Sequence, residues 1–386
     1  MTSAALRILV AGRLAVAPGQ GGAAWALLQW VLGFRSLGHD VWLIEPLPAA
    51  STEDPGAALL RSRQTRYFRI VTRQFGLSER SALTRGEGRL GGGQSGERLA
   101  RAVRDCDLLV DISGVLAAHE LAQEIPIRLY VDLDPAFTQL WHSQGVDVGL
   151  AGHTHYATVG QRVGESNSPI PDCGNTWMHF LPPVALDYWP VVPPPARERF
   201  TTVANWRSYG SIEHDGTFFG QKAHSFRAYA NLPGLTDARL EVALTISPGD
   251  RADSDRLRQA GWKVLAASRV ASTPQAYQRF IRRSTAEIGF AKAGYVAGRT
   301  GWFSDRSAAY LASGRPVVAQ DTGLDGQLSN GIGLLSFADP VEAAAGIERV
   351  RRDYDRHAAG ARRIAEEHLD AKKVLARLLW QLGMTN

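Results

Sequence analysis

The chain has 386 residues, of which 45% are hydrophobic and 21% are charged, and its formal net charge is +5. This composition excludes a disordered chain, and the length suffices for two domains of roughly 100–200 residues each. Cys106 and Cys173 exclude a disulfide framework, so we expect a reducing, cytoplasmic location. No apolar window reaches the roughly 18 residues of a transmembrane helix, so no membrane span is predicted.

The first half alternates between short apolar strands and helical stretches. Its N-terminal segment lacks the charged region and long apolar region of a signal peptide, so we interpret it as a strand. The predicted strands are 6–12, 40–45, 106–113, 127–134 and 146–152, and the clearest helix is 23–38. Strands separated by helices predict parallel crossovers and a doubly wound sheet. The glycine-rich segment 83–98 is predicted to be a long loop.

A proline-rich segment divides the chain almost in half. Six prolines lie between Pro182 and Pro195, and proline disfavours both helices and central strands. We therefore predict an N-terminal domain at 1–195 and a C-terminal domain at 196–369. The last segment, 370–386, has an apolar face, and we expect this helix to pack back on the N-terminal domain.

The second half repeats the α/β pattern. Strands are predicted at 199–206, 240–247 and 263–268, and helices begin at Thr273 and Asp339, each followed by proline at the first helical position. The predicted fold class is therefore α/β, with two Rossmann-like doubly wound domains facing each other across a cleft. Ligands bind at the carboxyl ends of the strands in such sheets.

The segment 301–323, "GWFSDRSAAYLASGRPVVAQDTG", predicts a short helix followed by an apolar strand. Ser304 and Asp305 are suitable N-caps, and Arg306 and Ser307 follow in the first turn. Free amides and the helix dipole favour an anion there, and an arginine with hydroxyls favours phosphate. An ordinary capped helix with a surface arginine is the alternative, and the local pattern does not decide between the two.

The stretch 299–323 resembles the nucleotide-sugar-binding segment of glycosyltransferases with the two-domain GT-B fold, and the rest of the chain is compatible with an uncharacterised bacterial branch of that superfamily. The resemblance implies that the helix N-terminus carries the donor diphosphate. Many retaining members have two glutamates in this segment. The corresponding positions here are Gly301 and Ala309, so neither retaining nor inverting chemistry is assigned.

The resemblance also implies donor-binding residues elsewhere in the second half. Arg207 and Lys222 are candidates for the diphosphate, because fixed cations stabilise the charge of a leaving group without a metal. A surface lysine is the alternative for Lys222. Asp321 and Thr322 are candidates for the sugar, although Asp321 could instead form a turn before Gly323.

In the first half, the segment 17–22 resembles the glycine-rich acceptor loop of GT-B enzymes. Its candidate residues are Gly19, Gln20, Gly21 and Gly22, and a simple tight turn is the alternative. A catalytic base needs a His, Asp or Glu near the acceptor hydroxyl.

We rank His155 and Asp132 first as the base, ahead of Asp111, Asp134 and His153. Two histidines two residues apart do not make a metal site, so none is predicted.

The favoured hypothesis is a metal-independent glycosyltransferase with no cofactor besides its nucleotide-diphosphate-sugar donor. Its acceptor could be a small molecule, a glycan or a nucleic acid. The alternatives are a nucleic-acid-binding or nucleic-acid-acting protein, such as a DNA-modifying glycosyltransferase, and a nucleotide-sugar epimerase on the same fold. On the favoured hypothesis, Arg306→Ala should weaken donor binding about tenfold to a hundredfold and leave the fold stable.

Overall fold

The chain folds into two largely parallel β-sheets, one in each half, and helices cover them. The computed structural model describes residues 5–47, 62–85, 89–90, 100–117, 119–324 and 326–384. In the predicted loop 83–98, residues 86–88 and 91–98 lie outside the described residues, while 84–85 pair with 89–90 as an antiparallel edge. The predicted pair of doubly wound sheets is confirmed.

The first sheet has the strand order β4-β3-β2-β1-β5-β6-β7-β8, and within the described residues only β4 is antiparallel to its neighbour. Its central strands are continuous apolar runs because helices cover both faces. The strands are β1 (Arg7–Ala11), β2 (Asp40–Leu47), β3 (Ser81–Arg85), β4 (Arg89–Leu90), β5 (Leu108–Ile112), β6 (Ile127–Asp132), β7 (His155–Thr158) and β8 (Trp177–His179).

The helices of the first half connect these strands, and a further helical turn spans 100–104. They are α1 (Gly21–Ser36), α2 (Arg63–Gln74), α3 (Glu120–Gln123) and α4 (Phe137–Ser143). The strand predicted at 146–152 is wrong. Gly149 and Gly152 have φ of +74° and +82°, which turns the backbone, and the strand forms instead at His155–Thr158.

The second sheet is parallel, with the strand order β13-β12-β9-β14-β15-β16, and a separate hairpin pairs β10 with β11. The hairpin was not predicted. The strands are β9 (Phe200–Asn205), β10 (Ile212–His214), β11 (Thr217–Phe219), β12 (Leu240–Thr245), β13 (Lys263–Ala266), β14 (Ala286–Gly289), β15 (Val317–Gln320) and β16 (Leu334–Phe337).

Most helices of the second half connect its strands, and the last three follow β16. The helices are α5 (Lys222–Arg227), α6 (Arg251–Gln259), α7 (Ala267–Val270), α8 (Pro274–Arg282), α9 (Ala293–Ala297), α10 (Asp305–Ala312), α11 (Pro340–Arg352), α12 (Tyr354–Ile364) and α13 (Ala371–Gln381). No helix within the described ranges has the length and apolar character needed to cross a membrane.

Two contacts hold the proline-rich segment and the C-terminal helix on the first half, away from the strand ends. Trp189, in the proline-rich segment, is fully buried, and its ring centroid lies 4.8 Å from that of Trp25 in α1. The C-terminal helix α13 also packs on α1, where a side chain at Gly33 would collide with Leu375. The last helix therefore covers the first half of the molecule rather than the second.

The Gly-Arg-Pro sequence after α10 has a structural reason. Gly314 ends the helix with φ of +67°. The buried Arg315 then donates to the carbonyl oxygens of Pro193 and Arg282, both at 2.8 Å. This arginine fixes the proline-rich segment against the second sheet.

Candidate functional site

A cleft of about 900 Å³ lies between the two halves, at the carboxyl ends of strands from the second sheet. The first half contributes the glycine loop, residues 19–22, and the second contributes the strand ends Asn205 and Thr245. Polar and charged groups from α5, α10 and the loop after β14 also line it: Lys222, Lys292, Ser304, Asp305 and Arg306. The structure thus brings together four of the eight predicted donor residues and the predicted acceptor loop.

The N-terminus of α10 is the predicted phosphate helix. Ser304 caps it, because its Oγ accepts a hydrogen bond from the backbone amide of Arg306 at 3.2 Å. Asp305 is exposed to the cleft, whereas Ser307 is buried and lines the neighbouring pocket. The hydroxyls of Ser304 and Ser307 therefore lie at a helix end where backbone amides lack intrahelical partners.

Arg306 is buried and forms an ion pair through Nε with Glu287 of β14. Its Nη1 donates to the carbonyl oxygen of Val203 at 3.0 Å. These contacts leave Nη2 as the guanidinium nitrogen outside both bonds, while the side chain still lines the cleft. The alternative of a surface arginine does not hold, and Arg306 has a structural partner in addition to any ligand. Its removal would leave a buried carboxylate unpaired, so the expectation that Arg306→Ala leaves the fold stable needs revision.

Lys222 is the first residue of α5 and is buried in the wall of the cleft. Its Nζ donates to the carbonyl oxygen of Phe290 at 2.8 Å. Burial, together with the positive charges of Arg306 and Lys292, lowers the pKa of its ammonium group well below the ordinary value. An anion in the cleft would offset both effects, so Lys222 is suited to bind one.

Arg207 follows β9, but it lies outside the lining of the cleft. Its Nε contacts the two carboxylate oxygens of Asp250 at 3.1 and 3.2 Å, and the side chain is partly exposed. The neighbouring Ser208 lines the cleft instead. The structure therefore separates Arg207 from the other predicted diphosphate residues.

A second pocket of about 790 Å³ adjoins the cleft and shares Trp302, Ser304 and Arg306 with it. Asp321 and Thr322 line this pocket, so the structure places them beside the helix N-terminus. Asp321 Oδ1 accepts from the amide of Gly323 at 2.9 Å, which is the turn that the alternative interpretation described. Thr322 Oγ1 donates to the carbonyl oxygen of Trp302 at 2.7 Å.

The glycine loop contacts the second half directly. The amide of Gly21 donates to the carbonyl oxygen of Ala271 at 2.8 Å, and a side chain at Gly21 would lie 2.2 Å from the carbonyl oxygen of Thr273. Glycine is therefore required by this close approach.

Sequence reasoning missed a residue that fixes the backbone shortly before the glycine loop. Glu45 in β2 is fully buried, and its carboxylate accepts from the amides of Leu14, Ala15 and Val16 at 2.5–2.9 Å. A glutamate inside the apolar strand "DVWLIEPL" was the available signal, because a charged group buried there needs such partners.

Asp132 is at the carboxyl end of β6, as predicted, but its carboxylate is engaged. It accepts from the side chains of Thr138, Thr158 and Gln139 and from the amide of Asp134, at 2.7–3.0 Å. Burial raises its pKa. Because four donors occupy its oxygens and it is almost fully buried, the arrangement suits a structural carboxylate.

His155 begins β7, which runs parallel to β6, so it lies at the amino end of its strand and not at the end near the cleft. It contacts Thr154 Oγ1 at 2.9 Å. The structure thus separates His155 from the donor residues. The side chain of His153 is buried, and its Nε2 lies 3.1 Å from Oδ2 of Asp111, so these two candidates are paired with each other.

Asp134 and Lys292 connect the two halves beside the cleft. Lys292 Nζ lies 2.9 and 2.8 Å from the carboxylate oxygens of Asp134 and also contacts the hydroxyl of Tyr209. Lys292 follows β14, so its position after an apolar strand was a signal that the sequence interpretation left unused. Within the described residues, no group of three His, Cys, Asp or Glu side chains could hold a metal ion.

No family model matches the chain, and no curated protein matches its sequence. Solved structures do match it in fold. HepE from Anabaena, solved with UDP-glucose, is 12% identical and aligns over 97% of this chain and 99% of its own, with a TM-score of 0.60.

Two further structures match over nearly their whole length. An alpha-glucosyltransferase, solved with UDP and a 13-mer DNA containing an HMU base, is 12% identical over 98% of this chain and 99% of its own, with a TM-score of 0.59. A glycosyltransferase from Rickettsia africae ESF-5 is 12% identical over 98% of both chains, with a TM-score of 0.56. The chain therefore has the fold of the GT-B glycosyltransferases.

Proposed function

We propose that this protein transfers a sugar from a nucleoside-diphosphate sugar, with UDP as the favoured nucleotide, to an acceptor in the cleft. The observation that carries the proposal is the pair of adjoining cavities at the N-terminus of α10. One cavity contains Lys222 and the glycine loop, and the other contains Asp321 and Thr322. UDP or UDP-glucose is bound in two of the similar structures, which supports the choice of nucleotide.

In this proposal the diphosphate lies against the first turn of α10. The amides of that turn and the hydroxyl of Ser304 donate to its oxygens, and Lys222 supplies a positive charge. As the bond between the sugar and the diphosphate breaks, negative charge grows on the leaving phosphate, and these fixed donors stabilise it more than they stabilise the bound donor. The buried Arg306 adds positive potential at the same place.

The acceptor enters from the side of the glycine loop. Gly19, Gln20, Gly21 and Gly22 line the same cleft as the charged residues but come from the other half of the chain, so an acceptor hydroxyl bound there would share the cavity with the sugar. The contact of Gly21 with Ala271 holds the loop against the second half. This arrangement positions two substrates, and positioning alone can lower a barrier by several kcal/mol.

We further propose that the transfer needs no metal ion. Lys222 and the helix amides supply the stabilisation that a divalent cation would otherwise give to the leaving diphosphate. Hydrolysis of the donor, or its transfer, should therefore survive EDTA. Activity lost in EDTA and restored by Mg²⁺ or Mn²⁺ contradicts this part of the proposal.

The donor site is tested by differential scanning fluorimetry with UDP, GDP, dTDP and UMP, followed by calorimetric titration of the best ligand. A ligand that binds only the folded state raises the melting temperature. We expect a nucleoside diphosphate to stabilise the protein more than UMP, because the second phosphate reaches the N-terminus of α10. No shift with any diphosphate at millimolar concentration would contradict the assignment.

A further inference from the structure

Helix α2 carries a row of arginines on its outer face. Arg63, Arg66, Arg69 and Arg73 are exposed, and the helix contains no acidic residue. Within the part of the chain that the structure describes, none of the four forms an ion pair. The opposite face, which includes Phe68, Val71 and two threonines, is buried. The row is therefore a concentrated positive charge that has no counter-charge among the described residues.

The row is long and narrow. The arginines are separated by three, three and four residues, which places them along one helix face. The ten residue steps from Arg63 to Arg73 correspond to about 15 Å at about 1.5 Å per residue. Arg63 and Arg66 lie in the first turn, where the helix dipole disfavours a cation. Like charges one turn apart also repel each other, so the row is unfavourable for the helix itself.

One end of the row reaches the cleft. A side-chain carbon on Gly19 would lie 3.7 Å from Nη2 of Arg63. Gly19 belongs to the loop that lines the same cleft as Lys222. The arginines therefore lead away from the acceptor side of the site, along the surface of the first half.

We propose that α2 binds a phosphodiester-linked chain, with successive phosphates against the four arginines, and that this chain is the acceptor. The acceptor role rests on the proposed function, whereas the binding does not. Arginine binds phosphate oxygens through two parallel hydrogen bonds, and a row of about 15 Å exceeds the size of one phosphate. An anionic membrane fits less well, because the apolar face of α2 is buried and Ile70 is its exposed large apolar residue.

The test measures binding of a fluorescein-labelled twelve-nucleotide oligodeoxythymidine by anisotropy between 50 and 200 mM salt. Four phosphate contacts on a single strand predict a log–log slope of about −2.8. The variant Arg66→Gln with Arg69→Gln should bind at least tenfold more weakly at low salt, with a slope shallower by about 1.4. The matched control neutralises two exposed arginines of α6, Arg251→Gln with Arg256→Gln, and should bind like the wild type.

Two results overturn the proposal. One is an equal loss of oligonucleotide affinity in the two double variants, which would mean that binding depends only on the net charge of the protein. The other is no oligonucleotide binding together with arginine-dependent sedimentation on vesicles of phosphatidylcholine and 30% phosphatidylglycerol. UDP titration of the Arg66→Gln, Arg69→Gln variant separates the two proposals, since its UDP affinity should equal that of the wild type. If the protein binds the oligonucleotide but no nucleoside diphosphate, the proposed function is refuted while the proposed chain-binding site is retained.

Discussion

The carboxyl ends of the two sheets both carry polar side chains, but the two edges use them differently. In the first sheet, Asp132 and Asp111 are buried and bonded to neighbouring groups of the same half. In the second, Lys222 and Asp305 line an open cleft. A carboxylate at a strand end is therefore a candidate for catalysis only after its internal donors have been counted. Arg306 combines the two arrangements, because it lines the cleft and also forms an internal ion pair with Glu287.

The largest effect should come from Arg306→Ala. The substitution leaves Glu287 buried without its partner, and the loss of one member of such a pair costs about 3–5 kcal/mol. Urea unfolding monitored by circular dichroism measures it. The control is the double replacement Glu287→Leu with Arg306→Met, which should recover most of the loss because no charge is left unpaired. If Arg306→Ala is as stable as the wild type and binds UDP more weakly, the prediction is wrong and Arg306 serves only to bind the ligand.

Asp132→Asn tests the carboxyl end of the first sheet, where the carboxylates are bonded internally. The NH₂ group of the new amide is a donor and replaces an oxygen that accepted a hydrogen bond. One neighbouring donor therefore loses its acceptor, and the free energy of unfolding should fall by about 1–3 kcal/mol. UDP affinity of the folded fraction should be unchanged, because Asp132 lies outside the cleft lining. A variant with wild-type stability and no turnover would restore Asp132 as the catalytic base.

Lys222→Ala tests the carboxyl end of the second sheet, where polar side chains line the open cleft. A hydrogen bond from a charged group to phosphate contributes roughly 1.5–3 kcal/mol, so UDP should bind about tenfold to a hundredfold more weakly. Calorimetric titration measures the change. The matched control is Arg207→Ala, which removes a cation that pairs with Asp250 outside the cleft and should change the affinity less than threefold. The reverse ranking would mean that the donor lies nearer Arg207.

The same lysine predicts a pH dependence. Its pKa is lowered in the free protein, and a bound diphosphate raises it again. The complex therefore binds more protons than the free protein between the two pKa values, so UDP affinity falls as pH rises through that window, by at most about tenfold per pH unit. Calorimetry in buffers of different ionisation enthalpy should detect proton uptake on binding. Uptake that persists in Lys222→Met would assign it to another group.

The smallest effect is expected for His155→Ala. The residue lies at the amino end of β7, away from the cleft, so turnover should be unchanged and stability should shift by about 0.5 kcal/mol or less. Steady-state transfer assays with a fixed acceptor provide the comparison. Complete loss of transfer in a folded variant would show that the acceptor site extends to that edge of the sheet.

The sequence by itself determined the fold class and the position of helix α10. Apolar runs such as "RILVA" and "LLVDI" predict buried parallel strands, because their periodicity depends on neighbouring residues alone. The cap at Ser304 and the end at Gly314 are likewise local. These features survive in the structure because backbone hydrogen bonding and side-chain period are properties of consecutive residues.

Only the tertiary structure decided which polar side chains are available to a ligand. Arg306 and Glu287 are 19 residues apart, and Asp134 and Lys292 are 158 apart. No local pattern predicts these pairs, because each depends on how distant strands are ordered in the sheets. The same holds for Glu45, whose carboxylate is fixed by amides about 30 residues away. Electrostatic partners act through space, so the sequence proposes candidate charges and the fold determines which of them remain unpaired.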